Sequence, residues 1–181
     1  MKKVFVTFIM IFSFFAKGYT QYDQLATNFK FNDIDGDIVN LSEYKDKVIL
    51  VVNVASRCGF TNQYEDLQKL STAYKNRGLI VIGVPSDNFK QEPGSNKEIK
   101  NFCETAFRID FPITEKTNVI GKETHPFFVW AAENYGGSAI PKWNFHKIII
   151  GKNGKVANTF TSVTNPSSDK FIASIEKELK N

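Results

Sequence analysis

The stretch KDKVILVVNVASRCGF, residues 45–60, decides the fold. Lys45–Ala55 is an almost unbroken β-branched run, the pattern of a strand buried on both faces. Ser56-Arg57-Cys58-Gly59-Phe60 breaks the run. From about Asn62 to Asn76, Tyr64, Leu67, Leu70 and Tyr74 recur three or four apart, which predicts a helix with one apolar face. Arg77-Gly78 ends that helix, and Leu79–Val84 (LIVIGV) reads as a second buried strand. Strand, helix and strand with a short exit make a βαβ unit, so the two strands are expected to be parallel.

Upstream, Phe29–Leu41 (FKFNDIDGDIVNL) alternates around Asp35-Gly36, a hairpin signal. Downstream, the loop Pro85–Gly94 leads to Ser95-Asn96-Lys97-Glu98, a capping box that starts a helix. Ile99, Phe102, Cys103 and Ala106 are expected on one face of it. From Phe111-Pro112-Ile113 the pattern is less regular. Phe145–Ile150 (FHKIII) and Lys155–Phe160 (KVANTF) flank Gly151–Gly154 as a second hairpin. Pro166 opens a closing amphipathic helix that carries Phe171, Ile172, Ile175 and Leu179. The order hairpin, strand, helix, strand, helix, hairpin, helix predicts an α/β protein of thioredoxin-like fold. A central mixed sheet is flanked by helices, with an extra N-terminal β-hairpin.

The composition fits a single core: 181 residues, 42% hydrophobic and 23% charged, with 17 Phe. Residues 1–18 stand apart. Lys2 and Lys3 precede the apolar run Val4–Ala16, and Ala16-Lys17-Gly18 offers a small-x-small exit, so a cleaved secretory signal is expected, with the domain at 19–181. The run is short for a membrane span. The expected destination is periplasmic or secreted. Loss of Lys2, Lys3 and Lys17 lowers the formal charge from +4 to +1, and no basic run remains to suggest nucleic acid.

Both cysteines, Cys58 and Cys103, lie in the mature part. In an exported protein such a pair is by default a structural disulfide. Cys58, however, follows a buried strand and precedes a helix, at the carboxyl end of a parallel strand where α/β sites gather. Unpaired N–H groups, the helix dipole and Arg57 all favour a thiolate there, and Gly59 lets the backbone bend. Cys103 lies on an apolar helical stripe, where a buried core thiol is the ordinary reading. Thr61 stands where a C-x-x-C dithiol would carry its second cysteine. His125 and His146 have no context marking either as an activating base. Cys and His are not clustered as a metal site requires.

The segments NVASRCGFT (Asn53–Thr61), QEPGSNKEI (Gln91–Ile99) and WNFHK (Trp143–Lys147) resemble, in order and spacing, the three signature regions of the glutathione peroxidase family in its cysteine form. The resemblance runs from about Ala26 to the C-terminus. It implies that Cys58 is the peroxidatic residue and that Gln91, Trp143 and Asn144 complete a catalytic tetrad. Those three are neutral N–H donors, suited to the negative charge that develops as a thiolate splits an O–O bond. The product is a Cys58 sulfenic acid. The resemblance further implies that Cys103 is a resolving cysteine, forming an internal disulfide reduced by a thioredoxin-like protein or by glutathione. No metal, haem or flavin cofactor is implied. Many members carry Pro-Cys-Asn-Gln-Phe and two further residues before the glutamine. Here Pro85-Ser86-Asp87-Asn88-Phe89 and Lys90 alone precede Gln91. The short stretch from Phe127 to Trp143 leaves little room for the loop that resembling tetrameric members use for assembly, so a monomer with an open site is expected. It would accept hydrogen peroxide and organic or lipid hydroperoxides. Two other classes stay open: an exported thiol–disulfide exchange protein or peroxide sensor, and a binding module with a static Cys58–Cys103 bridge.

Overall fold

The computed structural model describes residues 22–181, so the expected leader at 1–18 lies outside the described residues. The hairpin is present as β1 (Lys30–Asn32) and β2 (Ile38–Asn40), antiparallel and in register at Phe31 and Val39. Gly36, at φ 98°, supplies the left-handed residue its turn needs. The βαβ unit follows as β3 (Val48–Val54), α1 (Gln63–Tyr74) and β4 (Leu79–Pro85). β3 and β4 are parallel, with Val48 opposite Leu79 and Val54 opposite Pro85. Gly78 at φ 98° ends the turn of 3-10 helix after α1. β5 (Lys147–Ile150) pairs antiparallel with β3, and β6 (Val156–Phe160) antiparallel with β5. The resulting mixed sheet has the order β4-β3-β5-β6. This is a thioredoxin-like fold carrying the N-terminal hairpin as a separate two-stranded sheet.

β3 is buried along its whole length because both faces of the sheet are covered. Val48, Leu50, Val52 and Val54 face a core built with Tyr64, Leu67 and Leu70 of α1. The same core takes Ile99 and Cys103 of α2 (Asn96–Phe107) and Phe171 and Ile175 of α4 (Asp169–Lys180). Ile49 and Val51 face the other way, against the hairpin residues Phe31 and Val39.

That second face corrects the sequence reading. A helix, α3 (Pro126–Tyr135), lies in the region read as irregular, and Phe127, Phe128, Trp130 and Ala131 cover the sheet there. His125 caps it, its Nδ1 accepting from Phe127 N at 3.2 Å while Nε2 faces Lys30 O at 3.0 Å. That pattern suits a neutral imidazole donating from Nε2, and burial lowers the pKa of His125. Two smaller corrections follow. Ser95 and Glu98 form the expected capping box of α2, but Ala106 is exposed and Phe107 packs against the core in its place. α4 starts at Asp169 after Ser168, so Pro166 belongs to the preceding turn and not to the helix.

Candidate active site

Cys58 sits in a run of turns between β3 and α1 and is 9% exposed. Thr61 organises the turn: its Oγ1 accepts from Cys58 N at 3.0 Å and donates to Ala55 O at 2.9 Å, and Thr61 N donates to Cys58 O at 3.0 Å. Phe60 N–H donates to Cys58 Sγ at 3.4 Å. The donor to sulfur therefore comes from the turn itself, since α1 begins only at Gln63. Arg57 is exposed and makes no salt bridge among the described residues.

The loop after β4 delivers Gln91 to this turn. Ser86 is fully buried, and its backbone N donates to Val54 O at 3.1 Å. Asn88 Oδ1 accepts from Ser86 Oγ at 2.9 Å and from Val119 N at 2.7 Å. Lys90 takes a left-handed conformation at φ 58°, with its N donating to Asp87 O at 3.0 Å. A tight turn at Lys90 is how the short loop closes. Arg57 N then donates to Gln91 O at 3.1 Å, and Glu92 Oε2 accepts from Ser56 N at 2.8 Å and Ser56 Oγ at 3.0 Å. Three hydrogen bonds thus join Gln91-Glu92 to Ser56-Arg57, immediately before Cys58.

Trp143 and Asn144 arrive on the segment leading into β5. Asn144 is fully buried, its Nδ2 donates to Gln91 Oε1 at 2.9 Å, and its Oδ1 has no partner. The bond leaves the Gln91 carboxamide N–H groups free to point elsewhere. Trp143 is 41% exposed, with its ring 5.4 Å from that of Phe89. Its backbone carbonyl accepts from Asn53 Nδ2 at 3.2 Å. Asn53 also receives His146 N on Oδ1 at 3.0 Å, while its backbone O accepts from Phe145 N at 2.6 Å. Phe145 is held at φ 62°, a left-handed conformation costly for a bulky residue. Asn53 therefore fixes the turn that presents Trp143 and Asn144. Sequence reasoning gave it no role, although an amide inside a β-branched strand was a visible signal.

A cavity of about 560 Å³ opens beside the turn, lined by Phe60, Trp143, His146, Ile140 and Val163 among others. Behind it, Lys147 is fully buried, its Nζ donating to Gln63 Oε1 and, at 2.7 Å, to Thr164 O. Neither partner is charged, and burial lowers the Lys147 pKa to about 7. Burial, helped by Lys147, holds His146 down to about 4, so it is a neutral imidazole.

Cys103 lies on α2 as a free thiol, 1% exposed. Burial pushes its pKa up to about 11. The Tyr64 hydroxyl lies close enough to be felt electrostatically, yet it makes no hydrogen bond of full geometry. Of the five expected site residues, then, Gln91 and Asn144 touch directly. Gln91 is tied to the Cys58 turn, Trp143 shares a cavity with Phe60 of that turn, and Cys103 is buried in the same core as Cys58.

The glutathione peroxidase family model matches residues 26–132. The hydroperoxy fatty acid reductase of Synechocystis sp. is 43% identical over 168 residues, 88% of this chain and 98% of that protein. A glutathione peroxidase homolog, BsaA of Halalkalibacterium halodurans, is 46% identical over 74% of this chain and 87% of its own length. Among solved structures, Trgpx in its apo form superposes with a TM-score of 0.71 at 34% identity, covering 88% of this chain and 97% of that one. The chain belongs to the glutathione peroxidase family and is a thiol peroxidase acting on hydroperoxides.

Proposed function

We propose that Cys58 is the peroxidatic nucleophile, with Gln91, Trp143 and Asn144 as its hydrogen-bonding partners and Cys103 as the resolving thiol. The observation that carries this reading is the Asn144–Gln91 bond at 2.9 Å together with the Arg57–Gln91 bond at 3.1 Å. Asn144 turns the Gln91 carboxamide so that its N–H groups remain available, and Gln91 is anchored to the residue before Cys58. In the first step Cys58 thiolate takes the terminal oxygen of a hydroperoxide, the O–O bond breaks, and an alcohol or water leaves after protonation. The Gln91 and Trp143 N–H groups serve the leaving oxygen. Asn144, being fully buried, acts chiefly by orienting Gln91.

Cys103 then attacks the Cys58 sulfenic acid, and the disulfide is reduced by a thioredoxin-like protein or by glutathione. Both thiols are free and Cys103 is buried on α2, so the step has α2 yield until its sulfur reaches bonding distance, ~2 Å. Hydrogen peroxide and organic or lipid hydroperoxides are the substrates, the apolar cavity beside Trp143 favouring those with an alkyl tail. The direct run from α3 through a single 3-10 turn at Gly137–Ala139 to Trp143 supports a monomer with an open site. The leader at 1–18 supports export to the periplasm or beyond the cell.

Peptide mapping after one equivalent of peroxide tests the cycle. A Cys58–Cys103 disulfide is expected; sulfinic Cys58 beside a free Cys103 would remove the resolving role.

A further inference from the structure

Glu92 is a carboxylate for which the peroxide step has no use. It is 1% exposed, and its Oε2 is occupied by the two Ser56 donors. Its Oε1 accepts from no described residue, and it is not among the buried polar atoms sealed off without a partner. Glu92 lines a crevice of about 170 Å³ with Ser56 and Arg57 on one wall and Gly94, Glu98, Ile99 and Phe102 on the other. The first wall is the turn that carries Cys58. The second is the start of α2, whose buried residues are Ile99 and Cys103. The crevice thus lies between the Cys58 turn and the start of α2, while Cys103 itself lines a separate groove with Lys100, Glu104, Ile109 and Asp110 that holds no residue of the Cys58 turn.

The charged groups around Glu92 are otherwise engaged. Lys116 Nζ donates to the backbone carbonyls of Glu92 at 3.4 Å and Gly94 at 2.9 Å. Asp87 Oδ1 accepts from Glu92 N, and Glu98 is committed to capping α2 through Ser95. Arg57 is exposed. Burial raises the Glu92 pKa against the opposing effect of the Ser56 donors and Lys116, which moves this carboxylate toward the range useful to a base. Cys103, raised to about 11, is a thiol near neutrality and needs one. Glu104 and Asp110 are exposed and line, with the hairpin aspartates, the groove on which Cys103 opens, which includes no residue of the Cys58 turn. Burial holds the Tyr64 hydroxyl well above its ordinary pKa, so it stays protonated. Lys147 is bound to Gln63 and Thr164, and neutral His146 belongs to the Trp143 side.

We propose that Glu92 is the general base of the disulfide-forming step: its Oε1 takes the proton of the Cys103 thiol as that sulfur attacks the Cys58 sulfenic acid, and returns it to the departing hydroxyl. The Cys103 S–H and Cys58 S–OH bonds break, the S–S bond forms and one water leaves. Cys103 sulfur is oxidised and the sulfenic sulfur reduced, with no further reagent. This rests on the reading of Cys103 as the resolving thiol.

The test is a quenched-flow comparison of the wild type with Glu92→Gln, which keeps the size of the side chain and an acceptor for Ser56. After one equivalent of hydrogen peroxide, two rates are followed by alkylation and mass spectrometry: loss of the Cys58 thiol and appearance of the disulfide. The ratio of the second rate to the first is expected to fall in Glu92→Gln by on the order of 10²-fold near neutral pH. The deficit should shrink at alkaline pH, where Cys103 ionises unaided. Parallel slowing of both steps would reduce Glu92 to an anchor of the Cys58 turn and overturn the proposal, as would an unchanged ratio. A wild type that forms sulfinic Cys58 and no disulfide would refute the resolving role itself, and the base with it.

Discussion

Replacing Asn53 with Ala removes the side chain that holds the Trp143–His146 turn. Two hydrogen bonds disappear, Asn53 Nδ2 to Trp143 O at 3.2 Å and His146 N to Asn53 Oδ1 at 3.0 Å. Each is worth about 1 kcal/mol net, and a buried His146 N–H left without a partner adds about 1–3 kcal/mol. Asn53 and His146 are both nearly inaccessible, so water does not readily replace the lost acceptor. The expected loss of stability is about 3 kcal/mol, a large part of a typical 5–15 kcal/mol but not enough to unfold the chain. The catalytic effect should be out of proportion to this. Phe145 is held at φ 62° between Asn144 and His146, and releasing its neighbours lets the turn relax away from Gln91. A displacement of about 1 Å at a positioned group can cost on the order of 10²-fold in rate. Urea unfolding measures the first quantity, and stopped-flow oxidation of Cys58 by peroxide the second. Leu70→Ala on α1 is the control: Leu70 is 3% exposed, and its truncation should cost about 2–5 kcal/mol with little change in Cys58 oxidation. If Asn53→Ala costs under 1 kcal/mol, or slows Cys58 no more than Leu70→Ala does, the positioning role is refuted.

Lys147 sets a pH dependence of stability. Its folded pKa of about 7 lies below the ordinary 10.5, so between these values the unfolded chain binds more protons and stability rises with pH. The rise has an upper bound of about 5 kcal/mol. Lys147→Met should flatten the curve of unfolding free energy against pH across that window; an unchanged slope would contradict the assignment. Gly83→Ala would place a Cβ 2.5 Å from Ile113 Cδ1 and 3.3 Å from Phe111 Cε2. The end of a flexible side chain can shift, so calorimetry should show a loss of about 1 kcal/mol, or about 3 °C in Tm. Ser95→Ala removes the cap of α2, at a cost of about 1 kcal/mol. Alkylation of Cys103 in the reduced protein should then run about fivefold faster, and an unchanged rate would show that the helix does not open from this end.

The parts of the fold legible in the sequence are those whose burial leaves a simple period. β3 and β4 are covered on both faces and read as continuous apolar runs; α1 and α4 are covered on one face and read as stripes. α3 escaped because it is wedged between the sheet and the aromatic residues Phe29 and Phe31. Its sequence PFFVWAAENY is apolar through most of its length and shows no clear face. His125-Pro126, a cap followed by proline, was the available sign. Cys58 was legible from its place between a strand and a helix. Gln91 and Asn144 were not, because their contact spans 53 residues of chain, and only the resemblance of separate segments linked them. Glu92 gave no local sign either, since its partner Ser56 lies 36 residues away.

The central claim is that peroxide is reduced at Cys58 and that Cys103 completes the cycle. The most direct measurement is hydroperoxide turnover by the wild type, Cys58→Ser and Cys103→Ser, each supplied with a thioredoxin system and, separately, with glutathione. Turnover should vanish in Cys58→Ser with either reductant, and Cys103→Ser should lose the thioredoxin-driven rate while still consuming one equivalent of peroxide at Cys58. Full turnover by Cys58→Ser would contradict the account.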